Sequence, residues 1–403
     1  MPSEAGIGII GCGVISETYF LLAPLFRNLR IIACADVVPA VAQAKADKYA
    51  VRAMSVDQLL KSDEIHTIIN LTVPNAHFDV THSILSAGKN AYSEKPLALS
   101  AKQAKKLVAE ADKRGLLLGC APDTFLGAGG QTARRLIDKG IIGKVVGGTA
   151  HVLSHGMEHW HPNPAFFFQP GGGPMLDIGP YYVTALVNLL GPVKSVAAMA
   201  KTGFPHRLVT AEGPMMGKKV KVNTPTTING VLEFHSGAQV TIGTSWDVWK
   251  HGHGNPIELY GTNGSMLVPD PNFFGGTVLH SEQGSDYAEV DTIAMPFGAP
   301  SLGGRPGTPK RPNYRMLGVA DLIDAERRKR EPRCSGRLAA HILDVLESTL
   351  VSAATRKFVT VKSTVDRPRP LTEADTKRLA MLPESASAPM APVVPPASMA
   401  ASA

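Results

Sequence analysis

Residues able to hold a dinucleotide stand at the end of the first apolar run of the chain. The stretch GCGVIS, 11–16, follows a predicted strand and opens a predicted helix. Gly11 permits a tight turn, Gly13 lets the backbone approach a pyrophosphate, and the helix aims free N–H groups at the anion. The residues predicted to bind the cofactor here are Gly11, Gly13, Val14, Ile15 and Ser16. The alternative is a glycine turn in another doubly wound fold.

An acid at the end of the second predicted strand completes this pattern. Asp36 follows Gly11 by 25 residues (36 − 11). In this position a carboxylate accepts hydrogen bonds from both ribose hydroxyls and repels a 2′-phosphate. The sequence therefore predicts NAD as the cofactor, with NADP disfavoured.

A lysine next to a glutamate ends the fourth predicted strand, in the stretch SEKP, 93–96. Ligands of an open α/β sheet lie beyond the carboxyl ends of its strands, so we expect Glu94 and Lys95 near the nicotinamide ribose. Oxidation of an alcohol removes a hydroxyl proton as hydride leaves carbon. A lysine in a dry cleft beside a cationic ring is expected to have a depressed pKa, so Lys95 can bond the substrate oxygen or take its proton. Asp123, just past the fifth predicted strand, is expected to face the same cleft.

The stretch GGGPMLDIGPYY, 171–182, predicts a loop followed by the start of a helix. The glycines let the backbone pass close to a ligand. Asp177 and Tyr181 are four residues apart and therefore share one helix face, where both can meet the same ligand. Asp177 can grip two hydroxyls or orient Lys95. On the residues alone, an acid that only stabilises the first helical turn is the favoured alternative.

With these motifs the chain resembles the Gfo/Idh/MocA oxidoreductases, the family of glucose–fructose oxidoreductase and inositol dehydrogenase. The resemblance extends from about Gly6 to Val361 and rests on GCGVIS, the closing Asp36, TVPNAH (72–77), SEKP and GGGPMLDIGPYY. It implies a Rossmann domain followed by an α/β domain with an open, mostly antiparallel sheet, whose free face often makes the oligomer contact. It also implies hydride transfer between NAD(P) and a sugar, polyol or related alcohol.

The resemblance also implies roles for individual residues. The family's motif glutamate and lysine correspond to Glu94 and Lys95, and its helical aspartate corresponds to Asp177. With the resemblance, a catalytic Asp177 becomes the favoured reading. The cofactor contacts predicted for the turn after the third strand are Thr72, Pro74, Asn75 and His77.

Tyr181 departs from the family pattern, because a histidine is typical at this position. Three schemes follow for the predicted catalytic residues Lys95, Asp177 and Tyr181. Lys95 is the base and Tyr181 only binds, or Tyr181 is the acid/base activated by Lys95, or fast dehydrogenation is lost and NAD serves another use. We favour Tyr181 as the acid/base or as a proton-relay partner.

The segment 151–164 holds four histidines within eleven residues, 151–161. It passes from a strand to a loop, and Glu158 is its only nearby acid, so we predict no metal site. Instead we expect a substrate-lining loop in which Trp160 stacks on an apolar sugar face, with surface histidines as the alternative. The predicted substrate-binding residues are Asp123, His159, Trp160, His161 and Tyr182. In SWDVWKHGHG, 245–254, core or interface packing is favoured over binding.

Strand and helix patterns alternate over the first 120 residues, which predicts βαβ units and a parallel sheet. The predicted strands are 6–11, 30–36, 65–71, 89–94 and 116–121, and the helices are 15–27, 40–49, 56–61, 76–87 and 101–114. Beyond them we predict helices 128–139, 316–328 and 335–355, strands 145–153, 193–201, 226–236, 238–248 and 256–268, and a loop over 296–312. The fold class is α/β. The predicted units are a Rossmann domain, 1–124, a substrate and oligomerisation domain, 125–375, and a disordered tail, 383–403.

Composition narrows the cellular setting and the partners. The 403 residues carry a net charge of +7 and four scattered cysteines, and we predict neither a signal peptide nor an apolar run of membrane-spanning length. We expect a cytoplasmic protein that binds neither membrane nor nucleic acid and forms a homodimer or homotetramer. The basic run ERRKREPR, 326–333, has no interleaved aromatic residues and is expected to be a solvated helix end.

Three functions remain in competition on the sequence. The leading one is an NAD-dependent dehydrogenase of a sugar, polyol or glycoside. The second is a redox-neutral enzyme that oxidises a glycoside, eliminates the aglycone and returns the hydride. The third is a non-catalytic NAD sensor, against which the intact Lys95 and Asp177 argue.

Overall fold

The computed structural model describes residues 4–303 and 310–381, so the predicted tail 383–403 lies outside the described residues. Within them, six parallel strands form a first sheet in the order β3-β2-β1-β4-β5-β6. Its strands are β1 (Ala5–Ile10), β2 (Leu29–Ala35), β3 (Arg52–Ala53), β4 (Thr67–Asn70), β5 (Asn90–Ser93) and β6 (Leu118–Cys120). Its helices are α1 (Ser16–Leu22), α2 (Pro39–Tyr49), α3 (Val56–Lys61), α4 (His77–Ser86) and α5 (Ala101–Arg114). The predicted Rossmann domain is confirmed.

Local signals place several of these elements. Helix α5 begins after Ser100, whose side chain accepts a hydrogen bond from the Gln103 N–H, and it ends at Gly115 in the left-handed conformation. The prediction for α1 is too long, because its helix ends at Leu22 and a 3-10 turn follows. Pro24 lies in that turn and lacks the N–H that would continue an α-helix.

A second sheet of nine strands follows in the order β16-β15-β14-β13-β7-β12-β11-β8-β19 within the described residues. The remaining strands of the chain are β7 (Val145–Leu153), β8 (Val193–Lys201), β9 (His206–Leu208), β10 (Lys219–Lys221), β11 (Thr227–Phe234), β12 (Gln239–Ser245), β13 (Ile257–Gly261), β14 (Gly264–Val268), β15 (Val278–Glu282), β16 (Ala288–Val290), β17 (Leu302–Gly303), β18 (Lys310–Arg311) and β19 (Val359–Thr360). The pairing is antiparallel except between β7 and β12, which confirms the predicted mainly antiparallel sheet. The paired β17 and β18 fall within the segment predicted as loop.

One face of this second sheet is covered by helices and the other is open. The remaining helices are α6 (Ala128–Asp138), α7 (Pro174–Asp177), α8 (Gly179–Leu190), α9 (Leu317–Arg328), α10 (Gly336–Thr355) and α11 (Glu373–Leu379). Helix α10 is long and apolar enough to cross a membrane, but most of it is buried, and Ser352 accepts a hydrogen bond from the Ala198 N–H of β8. On the uncovered face Met199 is 71% exposed, and Phe358, just before β19, is 81% exposed.

The chain returns to the first domain after the second sheet. Cys120 of β6 donates its N–H to Cys334 O, and Asn90 of β5 donates a side-chain N–H to Glu326 of α9. Farther on, the backbone of 379–381 pairs with 25–27 through the bonds Arg27 N to Leu379 O and Met381 N to Leu25 O, each 2.8 Å long. The stretch from α9 to α11 therefore contacts both domains.

The basic run at the end of α9 is solvated only in part, because Arg328 and Lys329 are exposed whereas Arg333 is buried. Arg333 bonds Asp321 and Asp375 at 2.5 and 2.6 Å, and Arg330 bonds Asp321 and Asp324 at 2.6 and 2.7 Å. The side chain of Arg333 is only 5% exposed and that of Asp321 is fully buried. The expectation was wrong for Arg333, because the returning chain brings α11 and its acid against this run.

Removal of one charge from this network should destabilise the whole molecule. We expect Arg333→Met to reduce the free energy of unfolding by about 3 kcal/mol, because Asp321 stays buried with fewer partners. The melting temperature, followed by circular dichroism, should fall by roughly 5 °C. Arg337→Met is the matched control, since Arg337 forms half-exposed ion pairs whose loss costs about 1 kcal/mol or less. Equal melting temperatures for the two variants would contradict the prediction.

Candidate active site

The glycine loop after β1 has the geometry of a dinucleotide cradle. Gly11 has φ +100°, and a Cβ there would lie 2.6 Å from the carbonyl carbon of Leu71, so no other residue fits without strain. A Cβ at Gly13 would meet no described atom within 4 Å, so the space above it is open to a ligand. Ser16 is buried and donates its hydroxyl to Gly13 O at 2.7 Å, and this bond holds the glycine loop against the start of α1.

Asp36 connects this loop to the end of β2. Its Oδ2 accepts the N–H of Cys12 at 2.8 Å, and its Oδ1 accepts the N–H of Val38 at 2.9 Å. The neighbouring Val14 and Val37 are exposed, which leaves an apolar surface beside the carboxylate. A carboxylate held here can accept ribose hydroxyls, and an apolar surface suits an adenine ring. The residues present therefore fit NAD.

His77 lies below the turns that follow β4 and β5 rather than in the open. One ring nitrogen lies 2.6 Å from Pro96 O and the other lies 2.9 Å from Thr72 O. The side chain is buried, so His77 holds the two turns together and presents no ring nitrogen to a ligand. In the same turn Asn75 is exposed and Pro74 is partly exposed, as a cofactor contact requires.

Lys95, Asp177 and Tyr181 are brought together as the sequence predicts. The Nζ of Lys95 donates to Asp177 Oδ1 at 2.9 Å and to Asp177 O at 2.7 Å, and it lies 5.3 Å from the centre of the Tyr181 ring. The helix differs from the prediction, because α7 ends at Asp177 and α8 begins at Gly179. The two side chains still share one cleft across this break.

The pKa of Lys95 is raised, contrary to the expected depression. Burial alone would lower it, but the charge of Asp177, the charge of Tyr181 and the hydrogen bond to Asp177 outweigh burial. Lys95 is therefore held as an ammonium, suited to donate a hydrogen bond and poorly suited to accept a proton.

Glu94 is engaged by the protein through both of its oxygens. Oε1 accepts the hydroxyl of Tyr19 at 3.0 Å, and Oε2 accepts the N–H of Lys95 at 3.0 Å. Tyr19 is buried, and burial raises the pKa of its phenol well above the ordinary value. Glu94 thus fixes the turn that carries Lys95.

Asp123 is buried beside this turn, and Arg315 faces it from a distant part of the chain. The Oδ2 of Asp123 accepts the N–H of Gly318, at the start of α9, at 3.0 Å. Burial raises the pKa of Asp123 to about 6, against the opposing effects of the Gly318 bond and the charge of Arg315. Arg315 and Tyr19 carry no local motif that predicts them, because only the folded chain brings the Tyr19 hydroxyl to Glu94 and lets the charge of Glu94 act on Arg315.

The predicted substrate loop packs in part against the aromatic residues that follow it. His161 packs edge-on against Phe166 and Phe167, while His159 and Trp160 are exposed. Tyr182 is buried and donates its hydroxyl to Asp270 at 3.3 Å, so that hydroxyl already has a protein partner.

The aromatic residues after β12 behave differently from one another. Trp246 is buried in a small apolar core, as packing requires. Trp249 is 79% exposed and stacks on His155, so it does not pack in the core, and interface packing stays a prediction for it. Among residues 4–303 and 310–381, no three His, Cys, Asp or Glu side chains form a group suited to a metal.

The raised pKa of Asp123 predicts a pH-dependent stability. In the unfolded chain its pKa is 3.8, so between pH 3.8 and about 6 the folded protein binds more protons and stability falls as pH rises. Asp123→Asn keeps an oxygen for the Gly318 N–H but cannot ionise. Its melting temperature should therefore rise relative to that of the unsubstituted protein as pH increases from 4.5 to 7.5.

Asp57→Asn, at an exposed side chain, is the control for this pH series. A difference in melting temperature between Asp123→Asn and the unsubstituted protein that does not change with pH would contradict the assignment.

Comparison with known proteins agrees with this geometry. Residues 5–121 match the model of an oxidoreductase family with an NAD-binding Rossmann fold, and residues 131–267 match a GFO/IDH/MocA C-terminal domain. D-glucoside 3-dehydrogenase of Escherichia coli is 27% identical over 252 residues, which are 60% of this chain and 71% of that protein. An uncharacterized oxidoreductase of Schizosaccharomyces pombe is 28% identical over 199 residues, so the match spans 47% of this chain and about half (53%) of that relative's length.

Solved structures share the fold. An NAD-binding oxidoreductase from Klebsiella pneumoniae superposes with a TM-score of 0.76 at 20% identity, over 89% of this chain and 99% of that one. Levoglucosan dehydrogenase in complex with NADH and levoglucosan gives 0.75 at 18% identity, over 89% and 100%. With both domains matched by family models and the NAD cradle in place, the chain belongs to the Gfo/Idh/MocA family of NAD-binding oxidoreductases.

Proposed function

We propose that the protein is an NAD-dependent dehydrogenase that oxidises a hydroxyl-bearing carbon of a sugar, polyol or glycoside. The observation that carries this proposal is the Lys95–Asp177 ion pair beside Tyr181, at the same sheet edge as the Gly11–Asp36 cradle. The names of two relatives support the substrate class: D-glucoside 3-dehydrogenase and an inositol dehydrogenase of Lactiplantibacillus plantarum, 30% identical over 150 residues.

The chain's own residues divide the work of such a reaction. When bound, NAD supplies the acceptor for the hydride. Lys95, kept cationic by Asp177, donates a hydrogen bond to the substrate oxygen and stabilises its negative charge as the proton leaves. Tyr181 receives that proton as a phenolate and becomes the neutral phenol, and the ammonium 5.3 Å from its ring centre stabilises the phenolate before the transfer. Asp36 selects NAD over NADP because its carboxylate repels a 2′-phosphate.

A screen of cofactors and alcohols tests the proposal. Inositols, free sugars and alkyl glucosides are supplied with NAD or NADP, and both NADH absorbance and released aglycone are measured. Net NADH formation with NAD supports a dehydrogenase. Turnover with NADP alone, or with no substrate of these classes, contradicts the proposal.

Loss of the phenol should separate the two proton acceptors. If Tyr181 transfers the proton, Tyr181→Phe should reduce kcat by more than 10-fold, which is about 1.4 kcal/mol, while NAD binding stays unchanged. Tyr287→Phe, at an exposed tyrosine, controls for loss of a phenol elsewhere. A smaller loss of kcat would leave Tyr181 as a contact residue and return the base role to Lys95.

The tyrosine also favours a second candidate function, a redox-neutral glycoside-cleaving enzyme. Its cycle oxidises a ring hydroxyl, eliminates the aglycone and returns the hydride, so the total NAD is unchanged. Release of aglycone without net NADH in the same screen identifies this activity. Tyr181 is the specific observation behind it, because its place is taken by histidine in the pattern typical of the family's dehydrogenases.

We also propose that the protein is cytoplasmic and pairs with a second copy through the open face of its large sheet. Its four cysteines are free and buried, as a reducing compartment favours. A groove of about 620 Å³ crosses the open face, with Met199, Val231 and Phe358 among its walls. An apolar patch of this kind marks a protein contact.

A charge placed on this face should weaken the dimer. We expect Met199→Lys to shift sedimentation from dimer toward monomer, because pairing would bury the ammonium against apolar side chains. Met216→Lys is the matched control, at an exposed methionine outside the large sheet. A monomeric unsubstituted protein, or equal dissociation of both variants, would contradict the proposed interface.

A further inference from the structure

Arg315 lies in a rigid loop that ends at the catalytic edge of the first sheet. Before it, Asn313 and Ser301 are joined by two hydrogen bonds, and Tyr314 donates its hydroxyl to Ala299 O at 2.8 Å. After it, Met316 is fully buried with φ +97°, a conformation that a non-glycine residue holds only when its surroundings fix it. The backbone of Arg315 is therefore held on both sides.

The position of this loop follows from the first turn of α9. The Gly318 N–H bonds Asp123, beyond β6, and a Cβ at Gly318 would lie 2.3 Å from the hydroxyl of Tyr92 in β5. Tyr92 precedes Lys95 by only three residues. Arg315, just before this turn, consequently stands at the carboxyl ends of β5 and β6, where the lysine and its partners lie.

Arg315 differs in its hydrogen bonds from three buried arginines of the chain. Arg134, Arg207 and Arg333 each bond carboxylates and carbonyls at short distances. Within residues 4–303 and 310–381, the guanidinium of Arg315 has one hydrogen bond, from Nη1 to Asn313 Oδ1 at 3.5 Å, and no ion pair within 4.0 Å. A guanidinium carries five N–H donors, so most of them are free for a ligand.

The charges around Arg315 show which ligand it suits. Burial would lower its pKa, but Tyr181, Glu94, Asp123 and Tyr19 act on it and raise the value. The carboxylate of Asp123, which bonds the Gly318 N–H three residues along the chain from Arg315, disfavours an anionic ligand here. A neutral hydroxyl suits a site that holds both a guanidinium and a carboxylate. Its oxygen accepts a hydrogen bond from the arginine, and its hydrogen can be donated to the carboxylate.

We propose that Arg315 is a substrate-binding residue that donates hydrogen bonds to the hydroxyl next to the one held by Lys95 and Tyr181. This rests on the proposed function, in which Lys95 and Tyr181 hold the reacting hydroxyl. Adjacent hydroxyls of a sugar or polyol lie close enough for two cations at one cleft to hold one each. Arg315 then sets specificity, since a substrate without the second hydroxyl leaves buried donors unsatisfied.

Binding to the NADH complex tests this without requiring turnover. The dissociation constants of methyl glucoside and of its 2-deoxy, 3-deoxy and 4-deoxy analogues are measured by calorimetry for the full chain saturated with NADH. The unsubstituted protein should bind methyl glucoside at least 10-fold more tightly than one analogue. For Arg315→Met that preference should fall to about 2-fold or less, because methionine cannot donate the hydrogen bond that distinguishes the hydroxyl.

Arg311→Met is the control, because Arg311 is an exposed arginine of the same loop that lies over the Phe273 ring. It should keep the full preference. Arg315→Lys keeps the positive charge but loses the planar set of guanidinium N–H donors, so it should give an intermediate preference. If Arg315→Met fails to fold, Arg315→Lys supplies the ratio of dissociation constants instead.

Several results would overturn the assignment. These are an unchanged preference in Arg315→Met, tighter binding of methyl glucuronide that depends on Arg315, or no binding of any of these glucosides by the unsubstituted protein. Net NADH formation is scored separately. A protein that discriminates the deoxy analogue through Arg315 but forms no NADH keeps this contact and loses the dehydrogenase function.

Discussion

The ion pair between Lys95 and Asp177 is the contact on which the arrangement of the site depends. Lys95 follows β5 of the first sheet and Asp177 ends α7 of the second domain, so the pair joins the cofactor side to the substrate side. Partly buried charges lose hydration and are stabilised only when their partners are well placed. The ammonium contacts both the carboxylate and the backbone oxygen of Asp177, which sets the distance between the two domains at the reacting point.

The returning chain from α9 to α11 supplies the rigidity that such a pair needs. It bonds β6 through Cys334, the Rossmann helices through 379–381, and Asp123 through Gly318. The ion pairs around the buried Asp321 hold the helices of this stretch to one another. A domain boundary placed after residue 124 describes where the chain leaves the first sheet, but the residues that fix the cleft are shared by both units.

Local patterns predicted most of the fold and the three residues Lys95, Asp177 and Tyr181 that meet beyond β5. The bounds of α3 and α5 follow from their caps and periodicity, and the strands β7 and β8 follow from alternation. The trio could be predicted because each motif lies within a few residues of a strand or helix end. Arg315 could not be found in this way, because its neighbours Glu94 and Tyr19 are more than 200 residues away in sequence. The hydrogen bond of the Tyr182 hydroxyl could not be predicted for the same reason, since its partner Asp270 belongs to a later loop.

The tyrosine at 181 also changes where a proton can go. An imidazole can accept a proton at one nitrogen and release it from the other, which lets it pass protons onward to solvent. A phenol accepts and releases through one oxygen, so the proton leaves by the atom at which it arrived. Net dehydrogenation must discharge that proton to a third group at each turnover, whereas a redox-neutral cycle returns it to the same ligand. In the proposed mechanism, with Lys95 held cationic by Asp177, the group that takes the proton from Tyr181 decides between the two proposed functions.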